Sequence, residues 1–254
     1  MEEQKEGKES VLLREGERID DLERDGLVLI QNAGRFRYGV DAVLLSWFAQ
    51  AKEGETVLDL CTGTGVIPIL MTAKTQAAHF SALEIQPEVA DMAARSVRLN
   101  GLEDRISVVR GDVKEASRIF GGASFDIVTV NPPYLAGNGG IHNADESKAI
   151  SRHEILCTLE DVIRESSRVL KPGGRIYMVH RPFRLTDILV TMSANRISPR
   201  RLRMVYPRVS REANLVLVEG IRGGRTQIKA EPPVILQEEN GEETLLIKQI
   251  HGRA

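Results

Sequence analysis

Four consecutive residues, Asn131-Pro132-Pro133-Tyr134, place a primary amide, a rigid turn and a phenol directly after an apolar run. The amide oxygen of Asn131 and the carbonyl of Pro132 are both hydrogen-bond acceptors. An aromatic ring such as Tyr134 stacks on a flat partner. Together these groups suit a planar molecule that carries an NH2: two acceptors take the two amino hydrogens, Pro133 stiffens the turn and Tyr134 covers the plane. The nitrogen lone pair is then left facing an electrophile. A Pro-Pro strand stop beside an exposed tyrosine is the chemically silent reading of the same four residues.

Such a turn needs a strand to deliver it. Residues 125–130 are β-branched and apolar, which predicts a buried strand ending at Asn131. Ligands of open α/β sheets bind at the carboxyl ends of such strands. The same pattern recurs upstream. Residues 56–60 read as a buried strand, Cys61-Thr62-Gly63-Thr64-Gly65 as a turn and residues 66–74 as a helix with Pro68 in its first turn. Strand, glycine turn and helix form the opening unit of a nucleotide-binding fold. The dinucleotide fingerprint is incomplete, because Pro68 stands at its third glycine. Asp59 at the strand end repels a pyrophosphate and suits a cationic or hydroxyl-bearing ligand. These departures point away from a dinucleotide and toward a nucleoside cofactor without phosphates.

Glu84 ends a second predicted strand about twenty residues beyond the turn, where this fold places a carboxylate on ribose hydroxyls. Residues 87–100 read as a helix and 105–109 as a third strand followed by Gly111-Asp112. At that strand end Asp112 can accept from an adenine amino group or simply cap a helix. Beyond Tyr134, residues 135–151 are polar and Gly/Asn-rich, a lid or substrate loop or else an insertion without a role. Residues 153–170 are amphipathic, with 175–179 a further strand, and His153 and His180 lack metal-ligand spacing. At the amino end, residues 1–9 read as a disordered tail, 26–31 as a short strand and 40–49 as a buried helix. Six arginines fall between Arg196 and Arg211, on a segment that pairs with residues 213–219 as a hairpin closing the sheet. They form a solvated surface or contacts to a phosphate backbone. Residues 232–250, split by Asn240-Gly241, suggest a last hairpin.

Bulk properties bound the rest. The 254 residues are 42% hydrophobic and 28% charged, typical of a globular chain, and the net charge of −2 leaves nucleic-acid contact to local patches. Two cysteines are too few for a disulfide framework or a zinc site. The amino terminus is acidic, unlike a signal peptide, and no apolar run approaches a membrane span, so a cytoplasmic protein is expected.

Asp59-x-Cys61-x-Gly63-x-Gly65, Glu84, Asp112 and Asn131-Pro132-Pro133-Tyr134, in this order and each at a strand end, resemble the class I S-adenosylmethionine-dependent methyltransferases that methylate amino groups. The flanking Arg37-Tyr38-Gly39-Val40-Asp41-Ala42-Val43-Leu44-Leu45 and Arg152-His153-Glu154 are similar to one subgroup, the bacterial tRNA1(Val) adenine-37 N6-methyltransferase family. The likeness runs over roughly residues 25–225. It implies a Rossmann-like, doubly wound α/β sheet of seven mostly parallel strands with the last antiparallel. Residues 1–50 become a tail and an extension packed on the catalytic domain, 51–225 that domain, and 226–254 a hairpin or tail. The resemblance implies S-adenosylmethionine as cofactor. Asp59, Cys61, Gly63 and Gly65 would cradle its methionine end, Glu84 its ribose and Asp112 its adenine, with Asn131 also at the cofactor. Asn131, Pro132 and Tyr134 would position the target amine, with Pro133, Arg200, Arg201 and Arg203 on the substrate. Cys61 departs from the family, many of whose members have glycine there.

The expected substrate is RNA, most simply an unpaired adenine of tRNA, with no metal and no membrane, acted on by a monomer or weak dimer. Related Asn-Pro-Pro-Tyr enzymes act on a glutamine of release factors, on guanine N2 of ribosomal RNA or on adenine in DNA. A non-catalytic RNA-binding module that keeps the cofactor fold is a reading of a different class.

Overall fold

A computed structural model describes residues 13–32, 38–133, 157–225 and 227–253. Its centre is a sheet built from β3 (Thr56–Leu60), β4 (His79–Glu84), β5 (Ile106–Arg110), β6 (Phe125–Val130), β7 (Leu170–His180), β8 (Ile197–Tyr206) and β9 (Leu215–Arg222). Across the sheet these run β8-β9-β7-β6-β3-β4-β5, with β9 antiparallel to both neighbours and the other six parallel. This is the expected seven-stranded sheet. Parallel strands covered on both faces must be apolar throughout, which is why β3 and β6 read so clearly: Leu58, Leu60, Val128 and Val130 are all fully buried.

Chain order reverses between β3 and β6. One neighbour continues to β4, the other arrives from β5 through α4 (Ala116–Phe120), and the strand ends part there. That switch point is the crevice where such sheets bind ligands. α1 (Val40–Phe48) and α2 (Val66–Thr72) pack together on one face, almost wholly buried. α3 (Pro87–Leu99) starts on proline and stops at Asn100-Gly101, as read. α5 (Leu159–Val169) begins later than the amphipathic stretch suggested. Thr158 caps it reciprocally with Asp161, and this capping box sets the first turn. α6 (Leu185–Ala194) packs against β8.

The two ends of the chain differ from the sequence reading. β1 (Glu17–Asp21) pairs antiparallel with β2 (Val28–Asn32), a hairpin of which only the second strand was expected. It is tied to α3: Val28 N donates to Asn100 Oδ1, Ile30 N to Ser96 Oγ, and Arg95 forks onto Glu17 at 2.5 and 2.7 Å. At the other end, two short strands, β10 (Lys229–Ala230) and β11 (Val234–Ile235), run parallel along the outer edge of β8. The last hairpin is reduced to one bridge, Gln237 to Glu243, and Leu245–Ile250 forms a helix, α7. Thr244 accepts from Ile247 N at its start, and Ile247 and Ile250 are buried three residues apart, a helical and not a strand spacing. Among the described residues no helix is long and apolar enough to cross a membrane.

Candidate active site

The carboxyl ends of β3, β4, β5 and β6 bring the predicted chemistry to one edge. Asp59, on β3, is fully buried. Its Oδ1 accepts from Thr129 Oγ1 at 2.6 Å, while Oδ2 has no hydrogen-bond partner. Burial raises its pKa to about 7, with the Thr129 and Thr62 hydroxyls opposing the shift and the charge of Glu84 adding to it. The turn that follows is conformationally demanding. Cys61 holds φ at +57°, unusual for a residue with a side chain, and Gly65 at +87° serves as the N-cap of α2. A methyl group on Gly65 would meet Ala93 of α3 at 3.5 Å, so helix and turn are closely apposed.

Glu84 lies across this turn. Gly63 N donates to Oε2 at 3.0 Å and Gln86 N to Oε1 at 3.0 Å, which fixes the carboxylate against the glycine loop. Asp112, after β5, accepts from Lys114 N at 2.9 Å and caps a single 3-10 turn. The capping reading is therefore true of Asp112, two residues beyond Arg110, which pairs with Glu84 across β4 and β5.

Asn131 leaves β6 two residues beyond Thr129. Its Nδ2 donates to Asp41 Oδ2 at 3.2 Å, joining the turn to the first turn of α1. Pro132 is buried and Pro133 half-buried. Tyr134, the 135–151 loop and His153 lie outside the described residues, as do Arg37, Arg152 and Glu154. His180, at the end of β7, is buried, and burial pushes its pKa down to about 4, so it stays neutral. Its Nδ1 accepts from Arg181 N, which fits the structural role expected of it.

The arginines of β8 are engaged elsewhere. Arg201 pairs with Glu219 and Glu231 and lies over the Phe48 ring at 4.6 Å; Arg203 pairs with Glu231 at 2.9 Å and lies over Trp47 at 5.0 Å. Arg200 reaches only the Gln227 side chain and carbonyl. Two strands, β9 and β7, separate β8 from β6. Of Arg200, Arg201 and Arg203, expected on the substrate, two are neutralised by carboxylates on β9 and after β10.

Spacing alone missed two positions. Asp41 lies in the predicted buried helix and in the flanking segment of the resemblance, where it has no role of its own. Gln31 is 1% exposed on β2, and among the described residues neither polar atom of its amide has a partner. β2 is tied to α3 through Asn100 and Ser96. Thr62 is also buried, its hydroxyl beside the Asp59 carboxyl. Orphaned buried polar atoms are costly unless a ligand satisfies them. Asp59 Oδ2, buried beside the glycine turn, calls for a donor, and an amino acid's ammonium is one. The methionine end of S-adenosylmethionine has that group, and the residues present fit it.

Similarity to known proteins agrees. A predicted O-methyltransferase from Agrobacterium tumefaciens has the same fold, with a TM-score of 0.69 at 24% identity over 84% of this chain and 97% of its own. A geranyl diphosphate methyltransferase solved with S-adenosylmethionine has a TM-score of 0.53 at 15% identity, over 72% of this chain and 84% of its own. The tRNA1(Val) (adenine(37)-N6)-methyltransferase of Porphyromonas gingivalis is 29% identical over 74% of this chain and 76% of its own length. The protein of that name from Aeromonas salmonicida is 25% identical over 72% and 75%. Residues 37–193, more than half of the chain and including every strand end described above, match the model of the methyltransferase small domain. The chain belongs to the methyltransferase small domain family, a family of enzymes that use S-adenosylmethionine.

Proposed function

We propose that this enzyme methylates the exocyclic N6 of an unpaired adenine in tRNA. One observation carries the chemistry. Asn131 stands two residues beyond Thr129, whose hydroxyl donates to Asp59, so the amine-holding turn and the cofactor cradle share one seam between β6 and β3. The names of the similar tRNA methyltransferases support adenine and tRNA.

Bound in the cradle, S-adenosylmethionine supplies an electrophilic methyl group. Asp59 would hold its amino-acid end, Glu84 its ribose and Asp112 its adenine amino group. Asn131 Oδ1 and the Pro132 carbonyl accept the two hydrogens of the target NH2. An aromatic amine is a weak nucleophile because its lone pair is delocalised into the ring. Two acceptors out of the ring plane draw its hydrogens toward a pyramidal arrangement and free that pair. Orientation against the methyl group contributes the rest of the acceleration. The base must leave any stack to reach the crevice, which an anticodon loop allows at little cost.

Phe183 offers a surface for the neighbouring nucleotide. It is 62% exposed on the single turn Pro182–Arg184 that follows β7, the strand beside β6. Stacking of one base on an aromatic ring contributes about 1–3 kcal/mol. Phe183→Ala is therefore expected to raise the KM for RNA roughly tenfold, with kcat and cofactor affinity unchanged, as steady-state kinetics would report.

The direct test supplies labelled S-adenosylmethionine with bulk tRNA, ribosomal RNA, DNA and a release factor in parallel. N6-methyladenine in tRNA is the expected product. Label confined to another substrate overturns the choice of tRNA, and no label from a protein that binds the cofactor overturns catalysis itself.

A further inference from the structure

We propose that Asp41 is a positioning residue that fixes which end of the Asn131 amide faces the substrate. The inference rests on the amine-holding role proposed for Asn131. A side-chain amide is nearly the same shape with oxygen and nitrogen exchanged, so packing alone chooses weakly between the two orientations. Their chemistry is opposite: only Oδ1 can accept from a target amine, and Nδ2 would confront it donor against donor. An ionised carboxylate has acceptors only. With Asp41 Oδ2 at 3.2 Å, the favourable partner is Nδ2, and Oδ1 is turned to the other side of the amide. The carboxylate also polarises the amide, which makes Oδ1 a stronger acceptor.

Asp41 is itself held. Its Oδ1 accepts from Ala42 N at 2.9 Å in the first turn of α1, where a negative charge is favoured. Gly39, the N-cap, makes room for this: a methyl group there would lie 2.8 Å from Asp41 Oδ1. Gly39 has an ordinary φ of −109°, so its value at this position is space and not backbone freedom. A contact between residues 90 positions apart thus couples the entry of α1 to the substrate turn.

Three variants test the assignment. Asp41→Ala and Asp41→Asn are each expected to lower kcat on RNA by roughly 10–100-fold, since a loss of alignment at the reacting atom has effects of that size. S-adenosylhomocysteine affinity by calorimetry should stay within about twofold. The Asn variant fails as well because a neutral amide can donate or accept and no longer imposes an orientation. Gly39→Ala should lower kcat in the same direction with the Asp41 carboxylate chemically intact. In all three, the side-chain amide NMR signals of Asn131, assigned by their loss in Asn131→Ala, should shift. Unshifted signals, or an unchanged kcat in Asp41→Ala, overturn the proposal, as does a loss in Asp41→Asn matched by equal losses of cofactor affinity and melting temperature. If the wild type labels no RNA, the substrate reading fails, and the Asn131 signals still decide whether Asp41 sets the amide.

Discussion

Asn131→Ala is expected to lower kcat/KM for methyl transfer by about three orders of magnitude or more, while S-adenosylhomocysteine binds with nearly wild-type affinity. Removing one fixed hydrogen-bonding group aimed at developing charge typically costs a factor of 10²–10³. Here the same group also sets the direction of the attacking lone pair, so misalignment adds to that loss. The interaction is strongest as the amine becomes pyramidal, and kcat should therefore fall in parallel with kcat/KM. Cofactor affinity is spared because the amide of Asn131 is engaged with Asp41 on α1, and the proposed cradle is built on Asp59 and Glu84. Single-turnover kinetics beside calorimetry separate the two quantities. A variant that transfers methyl at the wild-type rate would remove Asn131 from the mechanism.

The parts of the molecule legible in its sequence are those governed by local pattern. β3, β4 and β6 are largely buried and mostly apolar, so Asp59, Glu84 and Asn131 are conspicuous as carboxylates and an amide at or near their ends. What escaped reading depends on contacts between distant segments. β1, Glu-Arg-Ile-Asp-Asp, carries no strand signal of its own and is held by β2 and by Glu17 on Arg95, 78 residues away. The arginines of β8 look like a cationic patch until their partners are known. Glu219 arrives across the antiparallel ladder and Glu231 on the chain after β10, neither predictable from spacing. Asp41 shows the same limit at the site. Its sequence neighbours are core residues, and only the folding of α1 over the end of β6 makes it a partner of Asn131.

Cofactor binding should strengthen about tenfold between pH 6 and pH 8 and release a proton as it occurs. Asp59 is the cause. In the ligand-free protein its buried carboxyl has a pKa of about 7, so at pH 6 roughly a tenth of the molecules carry the anion and at pH 8 roughly nine-tenths. An α-ammonium group placed at Oδ2 binds the anion and not the acid, and the ratio of those populations gives the change in affinity. Stability runs the other way. The folded carboxyl keeps its proton between about pH 4 and pH 7, where the unfolded chain has lost it, so the ligand-free protein loses about 1.4 kcal/mol per pH unit across that window. Below it both states are protonated, above it both are ionised, and the dependence vanishes. S-adenosylhomocysteine carries the same ammonium and carboxylate and serves as the probe. Calorimetry in buffers of different ionisation enthalpy counts the proton, and thermal denaturation from pH 4 to pH 9, with and without ligand, reads the stability. Asp59→Asn should abolish both dependences, weaken binding at pH 8 and raise the melting temperature of the ligand-free protein at that pH. Affinity that is flat with pH, with no proton released, would mean that the charge of Asp59 does not meet the ammonium and that the cradle must hold its ligand by other groups.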